Sequence, residues 1–137
     1  MTFSRAAMSL VVLALAASGC GDSDPPMGPP LSQAQYAGVG AACRSGVNAD
    51  CVQTPAPLEC LPFKGGYCGL RGCTKTEDCP LGSACVAHDD GQNYCFLICV
   101  EKVDCNPTRP LDAQSNCSSN ITFVGGDRGK KACVPPS

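Results

Sequence analysis

The cysteines constrain this chain more than any other feature. Thirteen occur in 137 residues, and from Cys20 to Ser137 they account for 13 of 118 positions. That share exceeds the ~8–10% that marks a disulfide scaffold in a short exported chain. After Cys20 they form three groups of four, each predicted to be one repeat: Cys43, Cys51, Cys60 and Cys68 (43–68); Cys73, Cys79, Cys85 and Cys95 (73–95); Cys99, Cys105, Cys117 and Cys133 (99–133).

Residues beside the cysteines repeat with them. Asp precedes the second cysteine of every group, and Tyr precedes the fourth cysteine of the first two groups, where the third group has Ala132. These coincidences indicate a degenerate tandem repeat. The third group has longer intervals, which a stapled loop tolerates because closure entropy grows slowly with loop length.

Composition sets the expected fold class. The chain has 15 glycines, 12 prolines and no tryptophan, and residues 43–137 contain no long apolar run. Turns are favoured over long helices, and a conventional core is expected to be thin. We predict a small disulfide-rich body over 43–137, with short β-hairpins and turns and little helix outside a signal peptide. Strands are expected near 66–70, 94–100 and 121–124, with a turn at Asp89-Asp90-Gly91.

Residues 1–19 have the pattern of a signal peptide for export. Arg5 supplies one positive charge, and an apolar run from Ala6 to Ala17 follows it. The run is too short to span a bilayer, and it ends in small residues before Cys20. An uncleaved membrane helix is the alternative that this pattern disfavours.

The residues from Leu15 to Cys20, LAASGC, resemble a bacterial lipobox. Ser18 and Gly19 match the small residues of that motif, whereas Ala17 stands where the motif usually has Leu. The resemblance implies cleavage before Cys20, a diacylglycerol on its sulfur and an acyl chain on its amino group. Parity supports this independently, because removing Cys20 from 13 cysteines leaves twelve that can all pair.

Residues 20–42 are predicted to be a lipidated tether rich in Pro, Gly and Ser. The 22 residues after Cys20 reach at most roughly 70 Å if they are fully extended as polyproline. Gly21 rather than Asp follows the lipidated cysteine. In lipoproteins of Gram-negative bacteria, that difference favours sorting to the outer membrane over retention in the inner membrane.

The spacing C-x5-C-x5-C-x9-C-x3-C from Cys73 to Cys99 resembles cysteine-rich modules of the Dickkopf and colipase type. It is also similar to the cysteine-rich surface lipoproteins of myxobacteria. The adjacent Cys-Cys pair of the animal modules is missing. Colipase-type modules pair the first cysteine with the third and the second with the fourth. Carried over, the resemblance implies six bonds: Cys43–Cys60, Cys51–Cys68, Cys73–Cys85, Cys79–Cys95, Cys99–Cys117 and Cys105–Cys133.

Other chemistry has weaker support in the residues. No C-x2-C pair typical of a structural zinc site occurs, so neither a metal nor another cofactor is predicted. His88 is the single histidine, and its position in a predicted turn favours a solvated side chain over a catalytic base. Asp50, Asp78 and Asp104 occur once per repeat, which favours a hydrogen bond to a turn amide over glycosidic catalysis or calcium binding.

We therefore predict a non-enzymatic interaction or structural module at the cell envelope, held to the membrane by lipid on Cys20. A surface protein or a glycan is the expected partner. The net charge of −2 gives no basic face for nucleic acid. The alternative is a surface-tethered protease inhibitor, with candidate loops at 87–93 and 106–116.

Overall fold

The computed structural model describes residues 30–54, 57–126 and 129–137. The predicted signal peptide, Cys20 and the first part of the predicted tether lie outside the described residues. The described chain is built from short antiparallel strands, 3₁₀ helices and turns, with one α-helix, which has four residues. This confirms the predicted class, a small disulfide-rich β fold with little helix.

The secondary structure elements are short throughout. Helix α1 spans Gln33–Tyr36, and the strands are β1 Glu59–Leu61, β2 Tyr67–Gly69, β3 Ser83–Ala87, β4 Asn93–Cys99, β5 Asn116–Ser118, β6 Thr122–Phe123 and β7 Lys131–Val134. The 3₁₀ helices span Asn48–Asp50, Thr76–Asp78, Lys102–Cys105 and Leu111–Ala113. Strands β2, β4 and β6 lie where strands were predicted.

The strands form two antiparallel sheets. Strands β1 and β2 make a separate hairpin, and the other five pair in the order β5-β7-β4-β3-β6. Because β7 pairs with β4, the second and third repeats share one sheet. The first repeat packs against that sheet as a hairpin of its own.

The third and fourth cysteines of each repeat face each other across a ladder. The register pairs Cys60 with Cys68, Cys85 with Cys95 and Cys117 with Cys133. The first and second cysteines precede these two strands in the chain and bond to the third and fourth cysteines, respectively. The six disulfides are the six that the resemblance implied: Cys43–Cys60, Cys51–Cys68, Cys73–Cys85, Cys79–Cys95, Cys99–Cys117 and Cys105–Cys133.

The geometry of the two staples repeats along the chain. In every repeat the first bond joins Cα atoms 5.9 Å apart. The second bond joins Cα atoms 5.4–5.5 Å apart. Each repeat is therefore one stapled unit, in which two bonds tie a 3₁₀ turn to a pair of antiparallel strands.

The aspartate before the second cysteine caps this turn in all three repeats. Asp50 accepts the amide of Arg44 at 3.0 Å. Asp78 accepts the amide of Thr74 at 2.8 Å. Asp104 accepts the amide of Val100 at 2.8 Å. In each case the donor directly follows the first cysteine, which confirms the predicted structural role of the aspartates.

Aromatic side chains form the centre of the core. Tyr67 and Tyr94, the residues before the fourth cysteines, are 0% and 3% exposed. The Tyr67 ring meets Phe96 edge to face at 5.2 Å, and Phe63 approaches Tyr94 at 5.2 Å. The hydroxyl of Tyr67 also accepts the amide of Leu97 at 3.0 Å. These contacts join the hairpin of the first repeat to the sheet of the second.

Part of the predicted tether belongs to the body. Ser32 caps helix α1 in a capping box with Gln35. Ala34 and Val39 are 0% and 2% exposed in the core. The amide of Gly40 donates to the carbonyl of Cys68 at 2.9 Å. The prediction of a tether running to residue 42 overlooked this packing, because small apolar residues in a Pro/Gly-rich setting bury well in a narrow space.

Arg109 joins three parts of the chain from inside the fold. It is 7% exposed, and its guanidinium donates to four backbone carbonyls. The acceptors are Ala113 O at 2.8 Å, Gly66 O at 2.8 Å, Lys64 O at 3.0 Å and Gly40 O at 3.3 Å. The guanidinium carbon also lies 5.6 Å from the centre of the Tyr67 ring. The N-terminal segment and the first and third repeats thus meet at one side chain.

The conformation of Gly66 is required for this arrangement. Its φ is +66°, and a Cβ placed there would lie 2.1 Å from the carbonyl oxygen of Cys43. A side chain therefore cannot be accommodated without displacing the backbone that Arg109 binds.

The Arg44–Asp50 pair gives the first prediction. The Arg44 guanidinium, followed by the Arg44 amide, lowers the pKa of Asp50 from 3.8 to about 2. A carboxyl group whose pKa is lowered on folding stabilises the fold above its unfolded pKa. That contribution is lost as the pH falls from about 4 through about 2. We expect Asp50→Asn to weaken the dependence of unfolding free energy on pH in that window, measured by urea titration with disulfides intact.

Asp112→Asn is the control, because Asp112 is an exposed carboxylate outside the capped turns. It is expected to keep the acid dependence of the native protein. If the two variants show the same pH profile, the capped aspartate does not contribute in this way.

The buried arginine gives the second prediction. Arg109→Met leaves buried carbonyls at Gly66 and Ala113 without their donor, and we expect a loss of about 3 kcal/mol in unfolding free energy. Arg109→Lys should give a smaller loss, because the ammonium still donates to some of these carbonyls, although it cannot reach all of them.

Arg71→Met is the matched control for Arg109→Met. Arg71 pairs with Glu59 at 2.8 Å, and both side chains are more than 40% exposed. We expect Arg71→Met to lower the free energy of unfolding by less than about 1 kcal/mol in the same denaturant titration. Equal losses at the two arginines would contradict the role assigned to Arg109.

Candidate functional site

An open depression with apolar side chains in its walls lies where helix α1 meets the third repeat. This Leu31–Val103 groove has a volume of about 610 Å³. Its lining residues are Pro30, Leu31, Gln35, Lys102, Val103, Asp104, Asn106, Pro107 and Gln114.

Two short elements fix the walls of this groove. The side-chain amide of Gln35 on α1 donates to the carbonyl of Asp104 at 2.6 Å. Val103 lies in the 3₁₀ helix that Asp104 caps, and Cys105, which follows Asp104, is bonded to Cys133. Val103 is 61% exposed and Leu31 is 42% exposed. Rigid backbone therefore presents apolar side chains to solvent on both sides of the groove.

The polar groups of this groove are largely occupied. The Asp104 carboxylate accepts the amides of Val100 and Glu101 at 2.8 and 2.9 Å. The side chain of Asn106 donates to Lys102 O and Ser115 O. Lys102 remains as the exposed cation of the lining. The arrangement suits apolar contact with a cationic rim.

A second, polar depression lies near the β3–β4 turn. This Asp89–Thr122 groove has a volume of about 350 Å³. Its lining includes the hydrogen-bonding side chains of His88, Asp89, Ser118, Asn120 and Thr122. Hydroxyl, amide and carboxylate groups of this kind bind the hydroxyl groups of a glycan or the backbone of a polypeptide.

His88 is not the solvated turn residue that was predicted. Its side chain is 15% exposed. The ring meets those of Phe63, Tyr94 and Phe96 edge to face, at 5.3, 5.8 and 6.1 Å. The turn closes with the amide of His88 donating to Gln92 O at 2.8 Å, which places the imidazole over the aromatic core.

Asp90 organises the same turn. It accepts the amide of Gln92 at 2.9 Å and the hydroxyl of Tyr94 at 2.8 Å. These two bonds, the amide first, lower the pKa of Asp90, while burial raises the pKa of Tyr94. His88 Nδ1 lies 3.3 Å from Asp90 Oδ1 but is buried without a hydrogen-bond partner. The acidic group therefore holds the hairpin end together.

The predicted site cysteines of the body all lie in disulfides. Three sulfurs of each repeat approach within 4.8 Å of one another, in the groups Cys43/Cys51/Cys60, Cys73/Cys79/Cys95 and Cys99/Cys105/Cys133. Each of these sulfurs is bonded to another sulfur, so the thiolate that a metal requires is not present. The clusters follow from two staples meeting in one small unit.

The two candidate inhibitor loops differ in form. Residues 87–93 make a tight turn, in which Gly91 N donates to His88 O at 3.0 Å. The loop 106–116 is longer and contains the 3₁₀ helix Leu111–Ala113. Leu111 is 88% exposed, while Arg109 in the same loop is buried.

The sequence predicted no groove here, although it had singled out Asp104 as a turn aspartate and 106–116 as a candidate inhibitor loop. The other side chains of the walls, Leu31, Gln35, Lys102 and Val103, were not singled out. A signal for one of them was present, because Ser32-Gln33-Ala34-Gln35 matches the S-x-x-Q capping box that starts a helix. No local pattern indicated that this helix would lie against the third repeat. That contact joins residues 69 positions apart.

None of the helices in the part of the chain that the structure describes is long and apolar enough to cross a bilayer. Comparisons of the chain with models of protein families, with curated proteins and with solved structures found no match.

Proposed function

We propose that this chain is a lipid-anchored lipoprotein of the cell envelope, with the outer membrane as its expected site. Its disulfide-stapled body acts as an interaction or structural module rather than as an enzyme. The observation that carries the proposal is the pairing of cysteines. Six bonds use all twelve cysteines of the body, so Cys20 has no cysteine of this chain left as a partner. A lipid thioether at Cys20, in its lipobox-like setting, accounts for the thirteenth.

The form of the body supports a binding role. Six staples hold 95 residues (43–137) in short hairpins, so surface grooves are presented with little conformational freedom. Preorganised surfaces lose less entropy when a partner binds. The Asp89–Thr122 groove offers polar groups for the expected surface protein or glycan.

A surface-tethered protease inhibitor is the second candidate. Leu111, 88% exposed, supports it, because an inhibitor needs a side chain that enters the enzyme's pocket. Its loop lies between Cys105 and Cys117, and disulfides fix both ends. An inhibitor that uses the loop 106–116 would contact its protease at Leu111, whereas the Asp89–Thr122 groove would contact its partner at Asn120. Mutation of these two residues therefore separates the two candidates.

The anchor is tested by the intact mass of the protein extracted from membranes, alkylated with and without prior reduction. We expect a chain that begins at Cys20 and carries three acyl chains, with twelve thiols alkylated only after reduction. Cys20→Ala should lose the acyl mass and still yield twelve thiols. A native protein without acyl mass, or with free thiols before reduction, would contradict the proposal.

Partner binding is tested by cross-linking on intact cells. Asn120→Arg places a bulky cation in the polar groove, and we expect at least about a tenfold loss of saturable cross-linking. Ser45→Arg is the matched control, because Ser45 is exposed and does not line the groove. If Leu111→Ala removes the cross-link instead and the partner is a protease, the inhibitor is the better reading. If cross-linking never saturates, the binding role is wrong.

A further inference from the structure

The packing of residues 32–41 brings the body close to the predicted anchor. Helix α1 and Val39 belong to the core, so the chain leaves the body at Leu31 and not at residue 42. Pro30 follows Cys20 by ten positions. A chain of that length spans at most about 36 Å in any conformation. The body is therefore held within about half the distance that a tether of 22 residues would allow.

Exposed apolar side chains lie at this exit. Leu31 is 42% exposed and forms one wall of the Leu31–Val103 groove, beside Pro30. Val103, 61% exposed, forms the other wall. Val100, three residues earlier in the same capped turn, is 75% exposed. No part of the described chain covers Leu31, Val100 and Val103 fully, so these apolar side chains face solvent.

Two cations lie beside these valines. Lys102 lies between Val100 and Val103 and lines the groove. Lys131 is exposed, and its ammonium group is 3.4 Å from the carbonyl oxygen of Val100. Glu101 is the exposed carboxylate of the turn, while Asp104 is occupied by backbone amides. Apolar side chains flanked by lysines are typical of surfaces that insert into the interface of a bilayer with anionic headgroups.

We propose that the face formed by Leu31, Val100, Lys102 and Val103 rests on the bilayer that holds the anchor. The valines and Leu31 enter the headgroup region, and Lys102 and Lys131 contact lipid phosphates. This inference rests on the proposed lipidation of Cys20, because the short linker is what keeps this face near the membrane. The β3–β4 turn and the Asp89–Thr122 groove are then directed away from the bilayer and toward partners.

The test uses the full lipidated protein in vesicles of phosphatidylethanolamine with a minority of phosphatidylglycerol, brominated on their acyl chains. The chain contains no tryptophan, so Val103→Trp introduces a single fluorescent reporter. Gln92→Trp is the matched control, at an exposed position in the turn at the other end of β4. The seven residues of that strand separate the two ends by about 23 Å.

We expect the bromolipids to quench Val103→Trp at least about threefold more strongly than Gln92→Trp, because an interfacial group lies within reach of the acyl chains. Adding Val100→Glu to the Val103→Trp protein should reduce the quenching by a similar factor. The intact mass of each variant, with its acyl mass present and twelve thiols alkylated only after reduction, shows that the disulfides and the anchor are retained.

The outcomes separate this inference from the proposed function. Equal quenching at the two positions in a protein that carries its acyl mass overturns the membrane-facing surface and leaves the anchor standing. A protein without acyl mass overturns both.

Discussion

The fold depends on a pair of disulfides that closes each repeat around a capped turn. In every repeat the third and fourth cysteines lie opposite each other on two antiparallel strands, and the first two cysteines bond to them from one side. The aspartate before the second cysteine accepts the amide that follows the first cysteine. This hydrogen bond shapes the turn that brings the two thiols to the two strands. Covalent bonds then restrict the unfolded chain where apolar burial is too small to stabilise a domain.

The three repeats nevertheless form one packed body. Strand β7 of the third repeat extends the sheet of the second, and Tyr67 of the first repeat binds the amide of Leu97 in that sheet. The Arg109 guanidinium donates hydrogen bonds to carbonyls of the first and third repeats and of the N-terminal segment. Among the described residues the buried Arg109 guanidinium has no carboxylate partner, and several oriented carbonyl dipoles replace its hydration. The same contacts bring the apolar groove and the exit of the predicted tether to one side of the body.

Prediction succeeded where the pattern was local and covalent. The high cysteine content and the abundant glycine and proline predicted the fold class. The recurring aspartates predicted the capped turns, because each aspartate and its amide partner lie only four to six positions apart. The resemblance to colipase-type modules supplied the pairing. Prediction failed at His88, which packs on three aromatic rings, and at residues 32–41, which were assigned to the tether. Both errors concern burial against distant parts of the chain, which a polar or Gly/Pro-rich local sequence does not reveal.

By itself the sequence determined that twelve cysteines fall into three repeats of four and that a thirteenth lies in a lipobox-like segment. It also determined that the body has too little apolar content to fold without disulfides. Tertiary structure alone decided where the body begins, which side chain joins the repeats, and which apolar residues remain at the surface. The physical reason is that staples and caps are set by spacing along the chain. Burial of Ala34 or Arg109, and exposure of Val103, depend on contacts between residues tens of positions apart.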